Sequence, residues 1–197
     1  ASLSGTTADI AANSQNYFNA AIEAMDTEIG RLLASVDLAT TTVIFIGDNG
    51  TFAGISSQLG GKEVLGGKGT MTDAGTHVPM IASWPGTIHP GKVSQDLVDF
   101  SDFLPTLCAA AGVVIPSEIK LDGQSFLPQL RGEEGHPREW IYCYYSRGGG
   151  KGGQWARNQR YKLYPDGKFY DVSADPLENT PLKNPSPEAQ QTRTLLQ

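Results

Sequence analysis

The segment Thr42-Val43-Ile44-Phe45-Ile46-Gly47 constrains this chain most. It is short, continuously apolar and rich in β-branched residues. Such a run reads as a strand buried on both faces, the habit of parallel sheets. Ahead of it, Phe18, Ala21, Ile22, Met25, Ile29, Leu32, Leu33 and Val36 recur at spacings of three and four. That spacing predicts one helix with an apolar stripe facing a core, with Asn13 or Ser14 capping its start. A helix feeding a buried strand points to an α/β architecture. The strand runs directly into Asp48-Asn49-Gly50, which places these residues at its carboxyl end, where open α/β sheets bind ligands.

Around this pair the chain reads unevenly. The first dozen residues are small and polar and read as irregular. Residues 51–76 are rich in Gly, Ser and Thr without a clear period, and a connection of that length is usually functional or mobile. Pro79 to Trp84 is a second buried-strand candidate, stopped by Pro85-Gly86. Asp99 to Ala111 reads as a helix capped by Ser101 or Asp102, with Pro105 in its first turn and Gly112 at its end. From about Pro137 the texture changes. Trp140–Tyr145, Trp155–Arg157, Tyr161–Tyr164 and Phe169–Val172 read as short strands. Gly148 to Gly153 and Pro165-Asp166-Gly167 are turns between them. These predict a small antiparallel sheet, followed by a Pro-rich tail with a terminal helix from Glu188. Two portions result, 1–136 and 137–197.

Composition excludes several classes. Of 197 residues, 15 are basic and 21 acidic, for a net charge of -6, and no basic cluster is present. Nucleic-acid binding needs such a cluster to neutralise phosphates. No apolar run is long enough to cross a bilayer. The chain does not open on Met, so the absence of a targeting segment carries no weight. The three His residues are scattered and make no zinc pattern. Cys108 and Cys143 form neither a metal motif nor a redox pair. Cys108 reads as a buried thiol, and a disulfide between the two stays open. No Gly-x-Ser-x-Gly elbow occurs, and Asp122–Ser125 and Ser146-Arg147 read as loops.

Two features could carry chemistry. The Asp48 carboxylate and the Asn49 amide oxygen are hard ligands suited to Ca²⁺ or Mg²⁺, although Asn-Gly is also a common turn. Gly66-Gly67-Lys68-Gly69-Thr70 lets backbone approach a ligand while Lys68 offers a point charge to an anion. It is not a nucleotide-binding P-loop, and Lys68 taken by itself reads first as an ordinary solvated lysine. Lys62 also sits beside glycines and has no other claim.

Taken in order, Phe45–Gly50, Gly67-Lys68-Gly69-Thr70, Asp73-Ala74-Gly75-Thr76-His77-Val78-Pro79 and Trp84-Pro85-Gly86 resemble the second half of the catalytic domain of sulfatases, in the alkaline-phosphatase superfamily. Met25–Gly30, Asp102–Leu107, Leu121–Ser125, Arg160–Leu163, Phe169–Asp171 and Asp175–Asn179 agree, so the similarity runs from about Tyr17 to Leu182. The resemblance implies part of a sandwiched mixed sheet of alkaline-phosphatase type, then a small antiparallel subdomain. It implies hydrolysis of sulfate esters through a formylglycine made from Cys or Ser in Cys/Ser-x-Pro-x-Arg. It implies Asp48 and Asn49 as ligands of a divalent cation, usually Ca²⁺, and Lys68 as a contact to the sulfate or bridging oxygen. His77 takes the place of a usual Arg, and packing at a strand edge is preferred for it over substrate contact. Neither cysteine lies in the nucleophile motif, and an early Asp pair has no counterpart. The chain is therefore expected to bind Ca²⁺ weakly and to be inactive without the N-terminal part of the domain. Two alternatives stand beside this: a phosphoester or phosphonate hydrolase of the same superfamily, and a non-catalytic binding module. The family resemblance favours a periplasmic, secreted or lysosomal location.

Overall fold

The computed structural model describes residues 3–146, 148–150 and 152–197, and the chain forms two compact units, 1–85 and 86–197. Helices and antiparallel sheets alternate along it, as expected for the α/β class, and the small antiparallel sheet is present.

In the first unit the start is helical rather than irregular. Helix α1 (Thr7–Ala12) is capped by Thr6, whose hydroxyl accepts from the Asp9 backbone N–H at 3.2 Å. Asp9 is a hub. Its carboxylate accepts from the Tyr17 hydroxyl at 2.5 Å, from the Ser4 backbone at 2.7 Å and from Asn13 at 2.7 Å. The Tyr17 hydrogen bond is the main reason its pKa falls to about 2. The signal was Thr6-x-x-Asp9, an N-cap spacing that a small, polar composition hides.

Helix α2 (Ser14–Leu33) follows with Asn13 at its N-cap, as expected, but the Asn13 side chain is engaged with Asp9 rather than with the helix end. The stripe does not face a core. No residue of α2 is buried, and Ile22, Met25 and Leu32 are exposed. The periodicity is real, yet among the described residues nothing packs closely enough on that face to bury it.

Strand β1 (Val43–Ile46) pairs antiparallel with β4 (Met80–Ser83), in the register Val43 to Ser83 and Ile46 to Met80. The expectation of strands buried on both faces is corrected. β1 is half-buried along its length, and Ile81 of β4 is 63% exposed. Each strand has a single hydrogen-bonded neighbour among the described residues, so one edge of each stays open. The loop expected over 51–76 is also partly ordered. It holds a hairpin of β2 (Ser56–Leu59) and β3 (Lys62–Leu65) and the short helix α3 (Asp73–Thr76). Gly60 and Gly61, at φ +57° and +77°, form its two-residue turn, a conformation that other residues adopt only with strain.

In the second unit the predicted helix over 99–111 is divided. Asp99 caps a 3₁₀ turn, Phe100–Asp102, which leads into α4 (Phe103–Ala110). Gly112 ends it at φ +67°. Asp102 takes the N-cap position of α4, one of the two expected, but its buried side chain makes no cap bond to that helix and serves as a junction instead. Its carboxylate accepts two bonds from Arg138 Nε, at 2.9 and 2.7 Å, and one from Nη2 at 2.5 Å. It also accepts from the backbone N–H groups of Asp99 and Gln124, both at 2.8 Å. Arg138 reaches on to the Asp122 carbonyl at 2.8 Å. The loop 121–125 is thus tied to α4 by charge, and Thr106 adds a bond from the Phe126 backbone N–H at 3.0 Å.

Burial pushes the Asp102 pKa up, but the Arg138 and backbone hydrogen bonds outweigh it and hold it below the ordinary value. A carboxylate depressed by folding contributes stability above the unfolded pKa of about 3.9, and that contribution is lost as pH falls through the folded value. Stability of the wild-type chain should therefore drop on acidification below about pH 4. Asp102→Asn should be less stable at pH 7 and show a flatter profile. Urea midpoints from pH 7 to pH 3 check this, and parallel profiles for the two proteins would refute it.

After α5 (Leu127–Arg131), the sheet is a simple meander of β5 (Ile141–Tyr145), β6 (Gly153–Arg157), β7 (Tyr161–Leu163) and β8 (Phe169–Asp171). All four predicted strands are present within two residues at each end. In the Gly148–Gly153 turn and the Ser146-Arg147 loop, Arg147 and Lys151 lie outside the described residues. Helix α6 (Pro187–Leu195), capped by Ser186, starts one residue before the predicted Glu188. It packs Ala189 and the following Leu196 against Tyr161, Leu163 and Phe169, the core of this unit. Tyr161 and Phe169 stack with ring centroids 5.2 Å apart. Both cysteines are free thiols and half-buried, which corrects the buried reading of Cys108, and burial pushes the Cys143 thiol up. No helix among the described residues is long and apolar enough to cross a membrane.

Candidate active site

The candidate residues of the first unit lie on three loops that close on one another backbone to backbone. At the end of β1, the Gly47 N–H donates to the Pro79 carbonyl at 3.1 Å, which extends the pairing with the β4 side. Asp48 follows and is exposed, while Asn49 is half-buried. The Gly50 N–H donates to the Gly75 carbonyl at 3.0 Å, and the Lys68 N–H donates to the Thr51 carbonyl at 2.9 Å. The loop bearing Asp48 and Asn49 is thereby bonded on one side to the α3 turn and on the other to the loop bearing Lys68.

Glycine makes that closure feasible. Gly67 and Gly75 are both buried. A Cβ on Gly67 would lie 2.7 Å from Ala74 Cβ, and one on Gly75 would lie 2.6 Å from the Gly67 carbonyl and 2.8 Å from Thr70 Oγ1. Contacts that short force the backbones apart, so the sequence spends glycine where the loops must touch.

Lys68 is exposed and free to extend from its loop. His77 closes α3 from the C-cap position, with Nδ1 3.7 Å from Asp73 Oδ2. Its side chain is 73% exposed, so it is not packed at the strand edge as preferred from sequence. Residue 77 leaves α3 before β4 begins, and the side chain stays in solvent beside a carboxylate. The Asp73 partner was missed; the signal is the i, i+4 spacing of Asp73 and His77 across one helical turn.

Residues 3–113 match the family model for sulfatases. This chain belongs to the sulfatase family. Residues 62–197 also match the model described as N-sulphoglucosamine sulphohydrolase, C-terminal. The sulfatase chain is 35% identical over 168 residues to human arylsulfatase A, covering 81% of this chain and 33% of that protein. It is 36% identical over 121 residues to an ulvan-active sulfatase of Formosa agariphila, covering 61% of this chain and 22% of that protein. A solved structure in complex with its substrate, D-glucosamine-2-N,6-O-disulfate, superposes with a TM-score of 0.70 at 28% identity, over 89% of this chain and 37% of that one. The sulfatase chain thus spans about a third of the length of the curated relatives it matches first.

The donor set tests the cation implied by the family resemblance. Asp48 and Asn49 supply one carboxylate and one amide oxygen on adjacent residues. Among the described residues no three His, Cys, Asp or Glu side chains gather into a metal-binding group. Calcium takes six to eight oxygens. The pair fits a share of a Ca²⁺ or Mg²⁺ shell and falls short of a whole one.

Proposed function

We propose that this sulfatase chain is the part of a sulfuric ester hydrolase that supplies two ligands of a divalent cation, Asp48 and Asn49, and the sulfate-contacting Lys68. In this reading residues 1–136 are the C-terminal portion of the catalytic domain and 137–197 its small subdomain. The observation that supports it most is the loop closure, in which Gly50 binds Gly75 and Lys68 binds Thr51 through backbone hydrogen bonds. That closure brings the loops bearing Asp48, Asn49 and Lys68 side by side near the end of one strand, which supports reading the three residues as one site. His77 is proposed as an additional substrate contact, because it is exposed on the neighbouring turn.

The chemistry follows from charge. As the S–O bond of a sulfate ester breaks, negative charge grows on the leaving oxygen and on the sulfonyl group. An ammonium already placed there stabilises that charge without reorganisation. Asp48 and Asn49 would hold part of the coordination shell of Ca²⁺, or Mg²⁺, which when bound polarises the sulfate oxygens. No Cys or Ser of the chain lies in Cys/Ser-x-Pro-x-Arg, so the formylglycine has no home in these residues. The complete enzyme is accordingly this chain together with the N-terminal part of the domain, and its substrate is a sulfate ester. The sugar disulfate bound by the structural relative supports an ester borne on a ring.

Calcium titration of the chain alone checks the ligand share. A Kd of about 1 mM or weaker is expected, lost in Asp48→Ala. Micromolar binding, or binding indifferent to Asp48, would show that the cation site is complete here or lies elsewhere.

A further inference from the structure

A sulfate ester has two parts, an anionic head and a carbon skeleton. Asp48, Asn49 and Lys68 address only the head. The loop that carries Asp48 and Asn49 also presents an exposed aromatic side chain. Phe52 lies four residues after Asp48 and is 64% exposed, whereas Ile55 in the same turn is 4% exposed. The turn therefore has an apolar interior and seats Ile55 in it, leaving the larger ring outside.

The backbone that carries the ring is held in place. The Ile55 N–H donates to the Phe52 carbonyl at 3.0 Å, and the Gly66 N–H donates to the Ile55 carbonyl at 2.9 Å. A Cβ on Gly66 would lie 2.6 Å from the Phe52 carbonyl carbon, and one on Gly54 would lie 2.7 Å from Phe52 Cε1. The backbone at 52 is thus pressed on Gly66, and the ring lies along Gly54. Thr51, the residue before it, accepts the Lys68 N–H. An exposed aromatic side chain is thereby carried on backbone held one residue from the anchor of the proposed sulfate-contacting loop.

We propose that Phe52 sets substrate specificity by contacting the carbon skeleton of the ester: it is a wall against which the flat face of an aryl or pyranose ring packs while the sulfate is held by Lys68 and the cation. The proposal rests on the reading of Asp48, Asn49 and Lys68 given above. A rigid ring loses little freedom on packing against another and removes apolar area from water, whereas a short acyclic chain gains much less. Ring-borne sulfates are therefore preferred over acyclic alkyl sulfates.

The test compares Phe52→Ala, Phe52→Tyr and Lys68→Ala in the complete enzyme. It measures kcat/KM on 4-methylumbelliferyl sulfate and on a short alkyl sulfate, together with inhibition by inorganic sulfate. Phe52→Ala is expected to lose about tenfold on the ring ester, through KM, with the alkyl ester and sulfate inhibition changed by less than about twofold. Phe52→Tyr keeps the ring and should stay near wild type. Equal losses on both esters, no loss on either, or weakened sulfate inhibition in Phe52→Ala would overturn the proposal. If Lys68→Ala abolishes turnover while Phe52→Ala leaves the substrate ratio unchanged, only the role of Phe52 falls. If Lys68→Ala alters neither turnover nor sulfate inhibition, or the wild type hydrolyses no sulfate ester, the site reading falls and this inference with it.

Discussion

Replacing Glu178 by leucine is expected to destabilise the second unit by about 3–5 kcal/mol. Lys162 is the reason. Its side chain is fully buried, and its Nζ lies 2.7 Å from Oε1 of Glu178, whose side chain is only 2% exposed. The ammonium sits over the Trp155 ring at 4.6 Å from the centroid and over Tyr164 at 5.4 Å. The Tyr164 hydroxyl donates to the second Glu178 oxygen. Glu178 holds this position from a left-handed backbone at φ +54°, a conformation that a non-glycine residue adopts at some cost. Leucine would inherit the strained backbone and leave the buried ammonium without that carboxylate. A loss of this size is a large share of the roughly 5–15 kcal/mol that holds a domain together. The double replacement Lys162→Met/Glu178→Leu should recover much of it, because desolvation of both charges is then avoided. Denaturant unfolding of the three proteins measures both effects. A single-variant loss below about 1 kcal/mol, or a double variant no better than the single, would count against the pair as the keystone of this unit.

Lys68→Ala carries the largest expected effect on activity. In the complete enzyme it should lower kcat by about a hundredfold to a thousandfold, the usual cost of removing one pre-placed group that stabilises transition-state charge. Lys68→Arg should restore part of the rate, since charge is kept while the compact point charge is not. Lys62→Ala is the internal control. Lys62 is also exposed beside glycines, but it opens β3 in the hairpin and is not proposed to touch the sulfate. Stopped assays on an aryl sulfate separate the three. Equal losses in the Lys68 and Lys62 variants would reduce Lys68 to one more solvated charge.

The second unit was the more legible in sequence, and the reason is local. Tight turns such as Pro165-Asp166-Gly167 sit between aromatic and β-branched runs, and each strand pairs with its chain neighbour, so short-range signals suffice. Periodicity located α2 and continuous apolar runs located β1 and β4, but both signals misjudged burial. An apolar period states that a face is fit to be covered, and Ile22, Met25, Leu32 and Ile81 show that it does not state what covers it. The β2–β3 hairpin was missed because Ser56, Ser57, Gln58, Lys62 and Glu63 are consecutive polar residues on its two strands, which erases the alternation that marks a strand. Gly60-Gly61 was the remaining signal. The Asp102–Arg138 and Lys162–Glu178 pairs join residues 36 and 16 positions apart, and no local pattern announces either. At the candidate site, Asp48, Asn49 and Lys68 were visible as residue types in order. That Gly50, Gly67 and Gly75 exist to let the three loops touch required the fold.

The most direct test of the account is release of 4-nitrocatechol from its sulfate ester by this chain, alone and after mixing with an N-terminal sulfatase segment that carries formylglycine. The chain alone should show no turnover above background. The mixture should become active, and Asp48→Ala in this chain should remove that activity. Saturable hydrolysis by the pure chain, or a reconstituted enzyme indifferent to Asp48→Ala, would contradict the assignment of these residues to one share of a divided active site.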